Sequence, residues 1–122
     1  VQIKVGTDII EVERIKNSIV KHGEKFLNKI YTKDEIAYCN INADTKYQHF
    51  AVRFAAKEAV FKALSEIGSD TLKWQDIEIK NAKSGRPEVV LYGQENDKIL
   101  SIDISLSHVK ETAIATVVAV LK

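Results

Sequence analysis

Arg53-Phe54-Ala55-Ala56-Lys57-Glu58-Ala59-Val60-Phe61-Lys62-Ala63-Leu64 is the stretch on which the architecture turns. Alanine and unbranched side chains favour helix, and the pattern extends back to Tyr47 and forward to Ile67, where Gly68 closes it. At about 100° per residue, Phe50, Phe54, Phe61 and Leu64 fall on one line and form a core stripe. Lys57 lands inside that stripe. Glu58 lies on its edge beside Ala51 and Ala55, about 40° from Lys62, and Arg53 borders the opposite edge. An isolated buried charge costs several kcal/mol, so charges placed here need partners or a wet cleft. Two readings are open. In one this is a packing helix whose Lys57 snorkels to water and whose Glu58–Lys62 pair is an i,i+4 bridge worth about 0.3 kcal/mol. In the other the charges serve a site.

Upstream of the helix, residues 2–8 alternate and read as a short strand. From Ile9 to about Lys29 the residues Val12, Ile15 and Ile19 recur at helical spacing, with Gly23 as an interruption. Thr32-Lys33-Asp34-Glu35 has the form of a capping box, and a short helix with Ile36, Ala37 and Tyr38 should follow it. Residues 40–46 are polar and read as a loop. Downstream the period changes to that of strands. Ile77 and Ile79 alternate with polar neighbours, and Lys83-Ser84-Gly85-Arg86-Pro87 reads as a turn. Val89 to Tyr92, Leu100 to Leu106 and Thr112 to Leu121 complete the strands. One strand, three helices and a run of strands make an α+β fold, with helices packed on a mainly antiparallel sheet.

The 122 residues suit one domain spanning 1–122. A domain this small leaves much apolar surface unburied, which favours self-association. A formal net charge of +1 argues against a general nucleic-acid binder, so an electrostatic partner must be met by a local patch. Cys39, the single cysteine, can form no internal disulfide and fits a reducing compartment. Val1-Gln2-Ile3-Lys4-Val5 lacks the features of a signal peptide, and no apolar run reaches membrane-span length. The expectation is a cytoplasmic protein without a membrane partner.

Candidate chemistry gathers at three places. Asp8 follows Gly6 at the end of the first strand; it can be a helix N-cap, or it can share a hard cation with Glu58. Magnesium takes one or two protein carboxylates and leaves its remaining positions to water and phosphate. The Gly85-Arg86-Pro87 turn offers backbone N–H groups and a guanidinium for phosphate, and His108 after Ser107 can touch an anion, though a plain hairpin turn and a surface histidine explain both. A rival constellation is the E-x-K of Glu78 and Lys80, the spacing of metal-dependent nucleases, which any half-exposed strand also produces.

Taken together, these pieces resemble a known family. Gly6-Thr7-Asp8-Ile9 is similar to its G-x-D motif, and Arg53 through Ala59 is similar to its R-[FW]-A-x-K-E-A block. With Gly85-Arg86-Pro87, Ser107-His108 and the Tyr31-Thr32, Glu35 and Tyr38-Cys39 positions, the order resembles the holo-acyl-carrier-protein synthases, the short bacterial type of 4′-phosphopantetheinyl transferase. The similarity runs from about Ile3 to Val120.

The resemblance implies that fold, and transfer of 4′-phosphopantetheine from coenzyme A to a serine of apo-acyl carrier protein, for fatty acid biosynthesis. It implies Mg2+ on Asp8 and Glu58, with Lys62 on the diphosphate, and Arg53, Gly85, Arg86, Pro87 and His108 around the nucleotide. Lys57 matches the motif but can serve structure instead. It further implies a homotrimer with active sites between subunits. Arg14, Lys21 and Lys25, spaced as a basic stripe on the first helix, would meet the acidic carrier. The non-enzymatic alternative is a binding module that holds an acidic protein through that stripe.

Overall fold

The computed structural model describes residues 1–68, 71–93 and 97–122. Strand β1 (Gln2–Glu11) leads into helix α1 (Val12–His22), followed by α2 (Glu24–Ile30), α3 (Lys33–Cys39) and α4 (Lys46–Ala63). Strands β2 (Ile77–Asn81), β3 (Pro87–Leu91), β4 (Ile99–His108) and β5 (Thr112–Leu121) complete it. Among the described residues all pairings are antiparallel, in a three-stranded sheet of order β1-β5-β4 and a separate β2-β3 hairpin.

The α+β expectation holds, with adjustments that have local causes. β1 runs three residues further than the alternation suggested, because Ile9 and Ile10 stay in the ladder opposite Ile114 and Ala113. Asp8 is therefore inside the strand and caps nothing; the α1 N-cap is Glu11, without a side-chain bond. Among the described residues four α-helices stand where the sequence suggests three, since Gly23 at φ 56 breaks the first in two. The capping box forms: Glu35 N–H donates to Thr32 Oγ1 at 3.3 Å and Thr32 N–H donates to Glu35 Oε1 at 2.9 Å. The last turn expected of α4 is instead a 3-10 turn, Ser65–Ile67, ending at left-handed Gly68.

Helix α4 is buried almost all round, not along one stripe. Phe50, Ala51, Val52, Ala55, Ala56, Ala59, Val60 and Leu64 are all buried. Phe54 and Phe61 are only partly covered and pack on Trp74, each with ring centroids 5.1 Å from it. The alanines occupy the side that meets the sheet, whose inner face is made of Ala113, Ala115, Val117 and Ala119 from β5. Small residues on both surfaces let helix and strands approach closely. The approach is tightest at Gly6, where a Cβ would lie 1.9 Å from the Ala59 carbonyl oxygen. Cross-strand partners share a face, so Asp8, opposite Ala115, points to the same side as Gly6. The other face of the sheet leaves Ile3, Val5, Ile9, Ile114 and Val118 exposed. Among the described residues no helix is long and apolar enough to cross a membrane.

Gly6→Ala should cost about 3 kcal/mol or more, because the clash is with backbone that cannot rotate away. Urea unfolding measures it, and a loss under about 1 kcal/mol would mean that α4 can slide off β1.

Candidate active site

Three charged residues on α4, Arg53, Lys57 and Lys62, meet three different environments. Arg53 is 2% exposed and lines an open cleft of about 380 Å³, together with Tyr38, His49, Asn81, Arg86, Pro87 and His108. Its guanidinium lies over the Tyr38 ring at 4.3 Å, and Nη2–H donates to Asn81 Oδ1 at 2.8 Å. A longer bond of 3.4 Å runs from Nη1–H to the His49 carbonyl, and the buried Nε–H has no partner. Among the described residues no carboxylate pairs with it. A buried cation without a counter-charge is costly. The stack on Tyr38 recovers part of that cost, and an anion entering the cleft would recover the rest.

Of the residues expected around a nucleotide, the structure brings Arg53, Arg86, Pro87 and His108 to this cleft. Gly85 sits behind it in the turn at φ 89, its carbonyl accepting from Asn81 Nδ2–H at 3.1 Å. The Arg86 guanidinium is not free as expected: Nη2 donates to both Asp103 oxygens at 2.9 Å. Both partners are exposed, so the pair is worth under about 1 kcal/mol. His49, Tyr38 and Asn81 were not anticipated. His49 packs edge-on against Tyr38 and His108, with ring centroids at 5.6 and 5.9 Å. Burial, with help from Arg53 and His108, lowers its pKa from 6.5. Its i,i+4 spacing to Arg53 was a legible signal; Asn81, at a strand end, left none.

Lys57 is the opposite case. It is fully buried, and its three N–H bonds go to Glu35 Oε1 at 2.7 Å, the Ile30 carbonyl at 2.8 Å and the Trp74 carbonyl at 3.0 Å. An ammonium has three donors, so nothing remains for a ligand or for water. Burial lowers its pKa and Glu35 opposes that. Both Glu35 oxygens are engaged in turn, since Oε2 accepts from Ile79 N–H at 2.8 Å. The snorkelling alternative is therefore wrong, and Lys57 serves structure, tying α4 to α3, β2 and the end of α2.

Glu78 overturns the nuclease constellation. Alternation put it on an exposed strand face, yet it is 5% exposed and accepts from Thr32 Oγ1 at 2.5 Å and Tyr92 Oη at 2.9 Å. Burial alone would raise its carboxyl, but these bonds and Lys80 at 3.6 Å outweigh it and the net displacement is downward. Both oxygens are committed inside the protein, so the pair offers no open site for a metal and a water.

Asp8, Glu58 and Lys62 form a second group. The Lys62 ammonium donates to Asp8 Oδ1 at 3.1 Å and to the Thr7 carbonyl at 3.0 Å. The expected Glu58–Lys62 bridge is not formed, because Lys62 reaches across to β1 instead. Glu58, one turn earlier, has its carboxyl pushed up by burial and by the Asp8 charge, with Lys62 pulling against them. Two hard oxygen donors that repel each other suit a hard divalent cation. No cluster of three or more His, Cys, Asp or Glu ligands occurs among the described residues, so water and phosphate would supply the other positions of magnesium.

None of these three residues lines the Arg53 cleft. Asp8 belongs to one edge strand and His108 to the other, with β5 between them. Arg14, Lys21 and Lys25 are exposed, but Lys25 lies on α2, beyond the break at Gly23, so the three are not one helical stripe.

A cationic cleft and a carboxylate pair beside a lysine are the parts that phosphoryl-type transfer uses. Residues 4–118 match the 4′-phosphopantetheinyl transferase superfamily. The sequence is 50% identical over 114 residues to a holo-[acyl-carrier-protein] synthase of Thermodesulfovibrio yellowstonii, covering 93% of this chain and 95% of that one. Against the holo-[acyl-carrier-protein] synthase of Chlamydia muridarum it is 45% identical over 119 residues, covering 94% and 92%. The fold is similar to the crystal structure of Helicobacter pylori holo-[acyl-carrier-protein] synthase in complex with coenzyme A, with a TM-score of 0.85, 32% identity, and 95% and 99% of the two chains covered. The chain belongs to the 4′-phosphopantetheinyl transferase superfamily, and it is a transferase enzyme of the holo-[acyl-carrier-protein] synthase type.

Lys57→Met should lower unfolding free energy by about 3–5 kcal/mol, because Glu35 is left charged and buried. Adding Glu35→Gln should return part of that loss in urea unfolding. A double variant no more stable than the single one would mean that the two charges are not coupled.

Proposed function

We propose that the protein transfers the 4′-phosphopantetheine group from coenzyme A to a serine of apo-acyl carrier protein, with Mg2+ as cofactor, in fatty acid biosynthesis. The observation that carries the proposal is Arg53, a buried guanidinium held open to a cleft without a counter-charge. It is what the phosphorylated nucleotide end of coenzyme A requires, and relatives crystallised with coenzyme A share the fold. Tyr38, His49 and His108 line the same cleft with their rings edge to face, offering aromatic and imidazole contacts to a base, and Arg86 lies beside them.

Asp8 and Glu58 would hold the metal, which when bound supplies charge neutralisation at the diphosphate. Lys62 is already drawn to Asp8 and adds a second positive charge for the leaving group. The carrier serine oxygen forms a bond to the phosphorus that bears pantetheine, the bridging P–O bond breaks, and adenosine 3′,5′-bisphosphate leaves. Glu58 or a water beside it would accept the serine proton.

The nucleotide cleft and the carboxylates lie apart in one chain, so a homotrimer that joins one subunit's cleft to the next subunit's carboxylates completes the site. Its interface would be the exposed face of Ile3, Val5, Ile9, Ile114 and Val118. Arg14 and Lys21, exposed on α1, with Lys25 on α2, would receive the acidic carrier. The enzyme would work in the cytoplasm, where buried Cys39 stays a thiol, its pKa pushed up to about 12 chiefly by burial.

Incubating the protein with coenzyme A, Mg2+ and apo-carrier should give a carrier heavier by one phosphopantetheine in mass spectrometry. An unmodified carrier would overturn the proposed transfer. Asp8→Asn or Glu58→Gln should lower turnover by about a thousandfold with little change in melting temperature; near-normal rates would remove the metal assignment. Arg14→Glu should raise KM for the carrier about tenfold and leave that for coenzyme A unchanged. Equal effects on both would remove the docking role.

A further inference from the structure

We infer that Asn81 is a positioning residue: its side-chain amide couples the buried Arg53 guanidinium on α4 to the turn that carries Gly85, Arg86 and Pro87, and it does so without cancelling the charge of Arg53. The inference rests on the reading of the cleft as the seat of the nucleotide end of coenzyme A.

Asn81 is the last residue of β2, and its partner across the ladder is Pro87. Proline has no N–H, so the ladder lacks a donor where strand becomes turn. Two backbone bonds close the turn, from Ala82 N–H to the Arg86 carbonyl and from Gly85 N–H to the Ala82 carbonyl, both 2.8 Å. The Asn81 amide adds a third tie, Nδ2–H to the Gly85 carbonyl at 3.1 Å, while Oδ1 accepts from Arg53 Nη2–H at 2.8 Å. Only one orientation of an amide satisfies a cationic donor at one end and a carbonyl acceptor at the other. The same side chain therefore sets the place of a helix cation and of a hairpin turn, two walls of one cleft.

The chemistry of the residue matters as much as its place. A carboxylate here would grip Arg53 more tightly, but as an ion pair it would neutralise the charge that an incoming phosphate needs, and it would repel the Gly85 carbonyl. The neutral amide holds the guanidinium by a single bond and leaves its charge uncompensated. Lys57, one turn along the same helix, is paired with Glu35 and closed to ligands. The contrast separates a cation kept for structure from one kept for an anion.

The test compares wild type, Asn81→Ala and the near-isosteric Asn81→Asp by calorimetric titration with adenosine 3′,5′-bisphosphate and by steady-state kinetics. Asn81→Ala should weaken bisphosphate binding and raise KM for coenzyme A about tenfold, and Asn81→Asp about a hundredfold. In both, kcat and KM for the carrier should stay within about twofold of wild type, which a merely structural role would not give. Wild type that binds the bisphosphate while both variants bind it equally well overturns the positioning role alone. Wild type that fails to bind it overturns the reading of the cleft and the inference with it. Asn81→Asp binding as tightly as Asn81→Ala, or all kinetic parameters moving together with melting temperature, overturns the charge argument. Asn81→Asp alone decides the matter if Asn81→Ala does not fold.

Discussion

The contact between α4 and β1 at Gly6 is the constraint from which the carboxylate group follows. With no side chain at Gly6, the Ala59 carbonyl and the Ala63 amide come into the space that a Cβ would fill. Two residues further along β1, Asp8 points to the same side of the sheet. Glu58 and Lys62 immediately precede Ala59 and Ala63 on α4, so the packing that joins helix to strand also brings the three charged groups together. The small residues of the R-F-A-A-K-E-A stretch and the alanines of β5 are thus a condition for gathering these three charges as well as for the core.

A second constraint is the division of labour among the cations of α4. Lys57 has a carboxylate and two carbonyls, and its pair with Glu35 locks α3 and β2 against the helix. Arg53, one turn earlier, faces a neutral amide, an aromatic ring and an open cleft. Both residues are buried, so burial alone does not distinguish a charge paired within the fold from one left facing a cleft. The identity of the partner does: a paired charge is spent within the fold, and an unpaired one holds binding energy in reserve for an anion. Glu78 teaches the same lesson with the opposite sign, being an acid in a suggestive motif whose oxygens the fold itself consumes.

The arrangement of the two groups on either side of β5 bears on the proposed assembly. A sheet that buries one face under α4 and leaves branched aliphatic side chains on the other has a surface that water disfavours. That surface and the separation of the two groups are independent observations, and the proposed assembly would account for both.

Much of the fold was open to reading in the sequence, because its signals are local. The capping box at Thr32 and Glu35, the break at Gly23, the alanine-rich α4 and the full span of β5 depend on neighbours a few residues away. The family was legible too, through the resemblance of the Gly6-Thr7-Asp8 and Arg53 to Ala59 stretches to its motifs. What only the tertiary structure decided was the partner of each charge. Lys62 turned to Asp8 rather than to Glu58, Glu35 took Lys57, Asp103 took Arg86, and Asn81 bridged Arg53 to Gly85. Those pairings join residues 17 to 54 positions apart, or run through a strand-end amide without a pattern of its own. Periodicity reports which face a residue occupies; only the packing of one element on another determines what that face meets.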